Sequence, residues 1–377
     1  MSKWKLPLFK MYQDETDVES VSSVIKRGSF WAGGPEIGEY EQNLKGYLEQ
    51  EYVLSFSSGT TALHALLHAY GVEGKEVIVP SFTFIATVNS IVIAGGVPVF
   101  ADIEKESLGL DVQDVESKIT NETRAILIVH YGGMPACNTM ALKKLAEQKG
   151  ILFIEDAAEA MGAEIDGQKV GSIGDGCIMS TCQNKIISTG EGGLATTKDP
   201  EIYQKLKFLR SHGRVDNIDY FTSVEDNDYS EVGSNFRMAS MNAALGISQL
   251  KKIGEIIEGR RKLAIRMDAF FAQYPKVRVL KASAGDYAVY QLYSIILESE
   301  ELRDELQKFL EEKAIMTKVY FNPVHLKTLY QKKYSQDISL ENTDDISRRV
   351  LTLPFFPQMD DSEFNYLTQS IHGYFTV

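Results

Sequence analysis

One stretch of the chain reads Ser180-Thr181-Cys182-Gln183-Asn184-Lys185-Ile186-Ile187-Ser188-Thr189-Gly190-Glu191-Gly192-Gly193. Apolar residues at 177–179 precede it and a second apolar run, 194–197, follows it, so its glycines predict a turn between two strands. Most lysines in proteins are solvated surface residues. A turn between two buried strands is a different setting, and the pattern therefore predicts a buried Lys185.

A second apolar segment supplies a partner for this lysine. Residues 151–154 are apolar and are followed directly by Glu155 and Asp156. A buried amine and a strand-end carboxylate can hold pyridoxal phosphate as a Schiff base, because the carboxylate keeps the pyridine nitrogen protonated and the ring then accepts electrons. We therefore interpret Lys185 and Asp156 as catalytic residues of an enzyme of amino-group chemistry, with Glu155 in structural contacts. Taken alone, Asp156 is equally consistent with a helix cap or a structural ion pair.

Size and charge limit the function classes. A chain of 377 residues exceeds one comfortable hydrophobic core, and we expect a large domain at 1–253 and a smaller one at 254–377. The net charge of −13 argues against nucleic acid or an anionic membrane as a partner. The three cysteines form neither a metal-binding spacing nor an even disulfide set, and the start of the chain contains no signal peptide. We therefore expect a cytoplasmic protein.

Short apolar runs alternate with helical patterns over the first two thirds of the chain. Most runs are apolar on both faces, so they predict an α/β domain with a mainly parallel seven-stranded sheet flanked by helices. The predicted strands are residues 52–56, 76–79, 97–100, 125–129, 151–154, 177–179 and 194–197. The last third predicts a smaller α+β domain, with strands at 277–280 and 289–296 and helices from about 254 and at 300–313. The polar residues 215–229 predict an exposed loop.

The run Ser57-Ser58-Gly59-Thr60-Thr61-Ala62 joins a predicted strand to an amphipathic helix. Free N–H groups at a helix N-terminus attract a phosphate dianion, and Gly59 allows a close turn of the backbone. Thr60 adds a hydroxyl donor. On its own this run is more typical of a simple helix cap. After the next strand, Phe82 or Phe84 is available to stack on a heteroaromatic ring, although most aromatic residues in such places belong to the core.

Taken together and in this order, the motifs resemble the DegT/DnrJ/EryC1/StrS family of sugar aminotransferases, which are fold-type I pyridoxal phosphate enzymes. The resemblance runs from Gly28 to nearly the C-terminus. The matching residues are Gly33-Gly34-Pro35, Glu39-Tyr40-Glu41, Ser58-Gly59-Thr60, Pro80-Ser81-Phe82-Thr83-Phe84, His130-Tyr131-Gly132, Glu155-Asp156-Ala157-Ala158, Ser180 with Lys185, Gly190-Glu191-Gly192-Gly193, Gly233-Ser234-Asn235-Phe236-Arg237-Met238 and Leu353-Pro354.

The resemblance implies a role for each candidate residue. Lys185 forms the internal aldimine with pyridoxal phosphate and shuttles the substrate proton, and Asp156 pairs with the pyridine nitrogen. The phosphate is held by Gly59, Thr60 and Ser180. The ring is covered by Phe84. Asn235 reaches the phosphate from the neighbouring subunit, which implies a homodimer with an active site shared between subunits.

Three positions depart from the commoner family pattern. Many members carry glutamine where Glu159 stands, near the phenolic oxygen of the cofactor, and a carboxylate there must be protonated or held by another donor. Thr181 and Cys182 replace the aromatic residues that commonly follow the serine. The dehydratase branch of the family has histidine at the lysine position, so Lys185 argues against that branch.

The implied reaction has two halves. An amino group passes from L-glutamate to the cofactor, giving pyridoxamine phosphate, and then to a keto sugar. The Lys185 stretch is most similar to 4-keto-6-deoxyhexose enzymes of the perosamine synthase type, so a nucleotide-linked 4-keto-6-deoxyhexose is the favoured acceptor. A non-nucleotide keto sugar acid, a pyridoxal phosphate dependent dehydratase and a non-catalytic regulator are the alternatives.

The sequence does not rank the residues that could contact the substrate. Lys318, Tyr320 and His325 are of this kind, and each is more often structural. Arg237 and His212 are interpreted as residues that tie loops together.

Overall fold

The computed structural model describes residues 3–215, 228–334 and 338–376. In these ranges the strands are β1 Tyr52–Phe56, β2 Glu76–Pro80, β3 Val97–Ala101, β4 Thr123–Val129, β5 Leu152–Asp156, β6 Glu164–Ile165, β7 Gln168–Lys169, β8 Gly176–Ser180, β9 Gly193–Thr197, β10 Val277–Val279, β11 Tyr293–Leu297 and β12 Val350–Leu353. The helices are α1 Glu15–Arg27, α2 Pro35–Leu48, α3 Gly59–Ala69, α4 Ile85–Ile93, α5 Val112–Lys118, α6 Thr139–Lys149, α7 Pro200–Arg210, α8 Ser240–Lys251, α9 Ile253–Phe271, α10 Glu300–Glu312, α11 Thr328–Tyr334, α12 Glu341–Arg349 and α13 Asp361–Phe375.

A seven-stranded sheet forms the centre of the larger part of the molecule. Its strand order is β1-β9-β8-β5-β4-β2-β3. The pairs from β8 to β3 are parallel, whereas β9 pairs antiparallel with both β1 and β8. Thus β9 alone runs against the other six strands, and the prediction of a mainly parallel seven-stranded sheet is confirmed.

The sheet is buried on both faces, which explains why its strands could be found in the sequence. Along β4, Ile126 and Ile128 pack into one apolar cluster, whereas Ala125 and Leu127 pack into the other. Successive side chains of a strand point to opposite faces, so a strand covered on both sides reads as a continuous apolar run. Each of the seven predicted strands overlaps an observed one.

The C-terminal part is a smaller α+β unit, as predicted. Its sheet has the order β10-β11-β12 with antiparallel pairs, and α9, α10 and α13 contribute to one apolar core with it. Strand β12 was not predicted. The predicted strand at 289–296 forms only from Tyr293 onward, because the N–H groups of Val289 and Leu292 bond to Gly133 O and Gly132 O instead. The boundary between 253 and 254 falls at the start of α9 and stays a prediction.

Two further observations bear on the sequence predictions. Most of the predicted loop at 215–229 lies outside the described residues. Its last residue, Tyr229, forms an antiparallel bridge with Arg214, which directly precedes the loop. None of the helices in the described ranges has the length and apolar character needed to cross a membrane.

The buried carboxylate of Glu155 stabilises the end of β5. It accepts a hydrogen bond from His130 Nε2 at 3.1 Å, and both side chains are fully buried. It also accepts backbone N–H bonds of 3.0, 3.0 and 2.7 Å from Gly171, Ile173 and Gly174. Burial by itself raises the pKa of Glu155, but the bonds from His130 and these N–H groups outweigh it, and the net pKa lies below its ordinary value. The structural role expected for Glu155 agrees with these contacts.

Replacing Glu155 tests this anchor. Glu155→Gln puts an amide donor among N–H donors, so we expect the free energy of unfolding at neutral pH to fall by about 3 kcal/mol. Because the folded pKa is lowered, the contribution of the carboxylate is complete above the ordinary value and is lost as the pH falls through the folded pKa. Urea unfolding of both proteins between pH 7 and pH 3 measures the difference, which must shrink on acidification; a constant difference would contradict this assignment.

Candidate active site

The carboxyl ends of the parallel strands open into one pocket of about 340 Å³. Strand ends of this kind are where α/β sheets commonly bind ligands. Contributing segments are the turn between β1 and α3, the start of α4, the end of β5, the connection from β8 to β9, and residues 318–321. Seven of the eight predicted site residues line it, namely Gly59, Thr60, Phe84, Asp156, Glu159, Ser180 and Lys185.

Lys185 faces a carboxylate inside the pocket. Its Nζ lies 3.2 Å from Glu159 Oε1, and the two side chains are 14% and 11% exposed. The other oxygen of Glu159 accepts the backbone N–H of Gly132 at 2.9 Å. The carboxylate that departs from the family pattern is therefore held by two donors.

Asp156 ends β5 with its carboxylate in the pocket. Thr87 Oγ1 donates to Oδ2 at 2.8 Å, and the N–H of Ala158 donates to Oδ1 at 3.1 Å. Burial raises the pKa of Asp156, and these hydrogen bonds and the nearby Lys185 oppose the rise only in part. A cationic group bound beside Asp156 would therefore be needed to stabilise its ionised form fully.

The start of α3 forms a concave turn with free backbone donors. Ser58 caps the helix by accepting the N–H of Thr61 at 3.1 Å, in a capping box. The first N–H groups of a helix have no partner within the helix, so those of Gly59 and Thr60 are available to a ligand. A Cβ added at Gly59 would lie 3.1 Å from Cβ of Ser180, which shows how closely the two segments approach. This geometry suits a phosphate group.

The two candidate phenylalanines occupy different environments. Phe82 is fully buried, with its ring centre 5.3 Å from that of Tyr131. Phe84 is 60% exposed at the rim of the pocket, and its ring centre lies 6.3 Å from that of Phe321. Only Phe84 therefore has an open face that a planar ligand can cover.

The remaining candidates fall inside and outside the pocket. Lys318 and Tyr320 line it, with Lys318 Nζ 4.6 Å from the centre of the Tyr320 ring. His325 is buried elsewhere, with Nδ1 2.7 Å from Ser81 Oγ. Asn235 is exposed on the surface and does not line the pocket of its own chain. Arg237 donates to Ser211 Oγ at 3.0 Å, a contact of the loop-tying kind.

Thr87 was missed by the sequence analysis. Its hydroxyl is 2.9 Å from that of Thr83, one turn earlier in the chain, and both side chains are buried beside Asp156. The spacing of four residues was the available signal, but it points to one face of a helix and does not identify the partner. Phe321 was also missed, because nothing in its local sequence links it to a strand end far away.

Comparison with known proteins settles the family. The profile of the DegT/DnrJ/EryC1/StrS aminotransferase family matches residues 11–372, nearly the whole chain. The chain belongs to this family. The resemblance inferred from the motifs is confirmed, and membership makes the protein an aminotransferase.

Individual relatives match over their whole length. The chain is 34% identical to GDP-perosamine synthase of Vibrio cholerae, covering 98% of this chain and 99% of that protein. It is 32% identical to UDP-4-amino-4-deoxy-L-arabinose–oxoglutarate aminotransferase of Shewanella sediminis, covering 98% of each. Among solved structures, Spr1654 from Streptococcus pneumoniae in its PLP-form superposes with a TM-score of 0.89 at 26% identity, covering 96% of both chains. Its PMP-form superposes with a TM-score of 0.91 at 26% identity, covering 97% of this chain and 98% of that one.

The contact between Thr87 and Asp156 can be tested by cofactor binding. Thr87→Val removes one of the bonds that lower the pKa of Asp156, so we expect pyridoxal phosphate to bind about tenfold more weakly at neutral pH. The loss should grow as the pH is lowered, because a smaller fraction of Asp156 is ionised. Fluorescence titration at two pH values measures the Kd. Thr368→Val, at a buried threonine of α13 whose Oγ1 donates to Phe364 O at 2.9 Å outside the pocket, is the matched control; equal Kd values for the two variants would refute the role of Thr87.

Proposed function

We propose that this enzyme transfers an amino group from L-glutamate to the keto group of a nucleotide-linked 4-keto-6-deoxyhexose. Pyridoxal phosphate is the proposed cofactor, converted to pyridoxamine phosphate between the two halves of the reaction. The observation that carries the proposal is the position of Lys185 Nζ and the Asp156 carboxylate in one pocket with the open helix turn at Gly59.

The chemistry of the pocket fits this cofactor. Gly59, Thr60 and Ser180 would hold its phosphate, where free N–H groups and hydroxyls meet. Asp156 would hold the protonated pyridine nitrogen, whose charge would add to that of Lys185 in stabilising the buried carboxylate. The exposed face of Phe84 would cover the ring. When bound, the cofactor supplies an electron sink for bond changes at the substrate carbon.

The residues of the chain supply position and proton transfer. Lys185 provides the amine that attaches the cofactor, and Nζ then carries the proton that leaves or joins the substrate carbon. Glu159 Oε1, at 3.2 Å, orients that amine. The N–H of Gly132 holds Glu159 in place. Lys185 also separates this enzyme from the dehydratase alternative, whose branch has histidine at that position.

The proposed acceptor and donor rest on the names of the relatives and on two residues that line the pocket. One relative is named for GDP-perosamine and another for a UDP-linked amino sugar and oxoglutarate. Lys318 and Tyr320 stand at the pocket rim, where they can contact an anionic group of a substrate. These features support a nucleotide sugar as acceptor and glutamate, the amino form of oxoglutarate, as donor.

We also propose that the active enzyme is a homodimer with shared active sites. Asn235, the family's phosphate-contacting asparagine, lies on the surface of its own chain and so is available to a neighbouring subunit. Large apolar side chains are also exposed on α1 and in the following loop: Val18 is 50%, Ile25 49% and Trp31 48% exposed. Apolar side chains exposed in this way are typical of surfaces that are covered on association.

The activity is tested with L-glutamate and a panel of keto sugars. We expect 2-oxoglutarate and amino sugar in equal amounts with nucleotide-linked 4-keto-6-deoxyhexoses, and borohydride should fix the cofactor to Lys185 in the protein mass spectrum. Lys185→Ala should lose at least about a thousandfold in activity. Lys198→Ala, at an exposed lysine that donates to Ile173 O outside the pocket, should keep the activity. Turnover only with a non-nucleotide keto sugar acid, dehydration of the sugar, or no turnover would each overturn the proposal.

The shared site is tested by mixing two inactive variants. Lys185→Ala and Asn235→Ala subunits, unfolded together and refolded in equal amounts, form mixed dimers with one intact site if Asn235 acts across the interface. Random association makes half of the dimers mixed, so about a quarter of the wild-type activity should return. If Asn235 acts within its own chain, each mixed dimer has two damaged sites and the activity stays at the level of the single variants.

A further inference from the structure

Residues 289–292 of the C-terminal part lie directly behind the active site. The N–H of Val289 bonds Gly133 O at 2.9 Å, and the N–H of Leu292 bonds Gly132 O at 3.1 Å. The N–H of Gly132 in turn holds Glu159, which faces Lys185. The segment is thus connected to the lysine amine through three successive hydrogen bonds.

The side chain of Gln291 makes a second and more direct connection. It is only 4% exposed, and its amide Nε2 donates to the backbone oxygen of Asn184, the residue before Lys185. This contact depends on close packing, because a Cβ added at Gly133 would lie 2.6 Å from the backbone nitrogen of Gln291. Residues 289–292 therefore contact the connection from β8 to β9 at 181–192, called the lysine loop below, on one side. On the other side they contact Gly132, whose N–H holds Glu159.

The segment itself is fixed from its far side. Arg260, buried on α9, donates from Nη1 to the carbonyl oxygens of Tyr290 and Gln291, both at 3.2 Å. Two bonds to consecutive carbonyls hold the backbone on which the Gln291 side chain is mounted. A side chain can position another group only if its own backbone is held in place.

Stability alone does not explain an amide at this position. Gln291 Oε1 is buried and has no hydrogen-bond partner within the described residues. A buried unsatisfied oxygen costs free energy, whereas methionine would fill a similar volume without that cost. The one side-chain bond that Gln291 makes within these residues is to the backbone of the lysine loop.

We propose that Gln291 is a positioning residue for Lys185. Its amide fixes the carbonyl of Asn184 and with it the direction in which the lysine side chain leaves the backbone. This inference rests on the proposed function of Lys185 as the residue that attaches the cofactor. Gln291 acts through Asn184 and touches neither cofactor nor substrate.

Two substitutions separate positioning from stability. Gln291→Met removes the donor at similar volume, and Gln291→Glu faces the Asn184 carbonyl with an acceptor. The control is Gln273→Met, because Gln273 on the surface after α9 makes the same kind of bond, from Nε2 to Phe270 O at 3.0 Å. Cofactor-free protein is mixed with pyridoxal phosphate, and the rate of covalent attachment is followed by absorbance and confirmed by mass spectrometry; kcat, KM and the urea midpoint are measured alongside.

We expect both Gln291 variants to attach the cofactor about tenfold more slowly and to lose about tenfold in kcat, with KM for glutamate within about twofold. The urea midpoint of Gln291→Met should stay near that of Gln273→Met, whereas the buried carboxylate of Gln291→Glu should lower the midpoint; if the glutamate variant does not fold, the methionine variant decides. Wild-type attachment rates and kcat in the folded variants would overturn the inference. So would full recovery of kcat at saturating cofactor. Failure of the wild-type protein to attach the cofactor at Lys185 would instead overturn the proposed function.

Discussion

The reversal of chain direction between β8 and β9 is the constraint on which the site depends. Because β9 runs against its neighbours, the chain leaves β8 and enters β9 at the same edge of the sheet, and the whole connection stays at the carboxyl ends of the parallel strands. Hydrogen bonds close the connection at its base, from Thr181 N–H to Gly192 O at 2.9 Å and from Thr189 N–H to Thr181 O at 2.8 Å. A parallel β9 would need a crossover to the far edge, and Lys185 would then not face the strand ends.

The pair Glu155-Asp156 shows how the same chemical group is given two tasks by the geometry of a strand. Neighbouring side chains of β5 point to opposite faces, so one carboxylate is enclosed by four donors while the next reaches the pocket. The pKa is shifted in opposite directions at the two residues: it is lowered for Glu155 and raised for Asp156. The first group stabilises the strand end, and the second is left in need of a positive partner.

The sequence predicted those features whose burial or backbone geometry constrains neighbouring residues in the chain. Continuous apolar runs predicted the seven strands, and Gly59 and Lys185 stood in recognisable turns at their ends. Thr87, Phe321 and Gln291 were not found, because each acts on a residue far away in the chain and has an ordinary local sequence. Residues 289–292 were assigned to a strand by their apolar character, yet their hydrogen bonds go to Gly132 and Gly133. A short apolar run does not tell which backbone its residues will pair with.

The close packing of Gly133 against Gln291 also limits how this chain can be recombined with a relative. Gly133 has φ of +83°, and any side chain there would meet the backbone of the C-terminal part. The larger and smaller parts of the chain therefore fit closely against each other behind the lysine pocket. A chimaera that joins the first part of this enzyme to the last part of a relative will inherit both surfaces but not their complementarity. Crossover points that keep 132–133 and 289–292 from one parent preserve it.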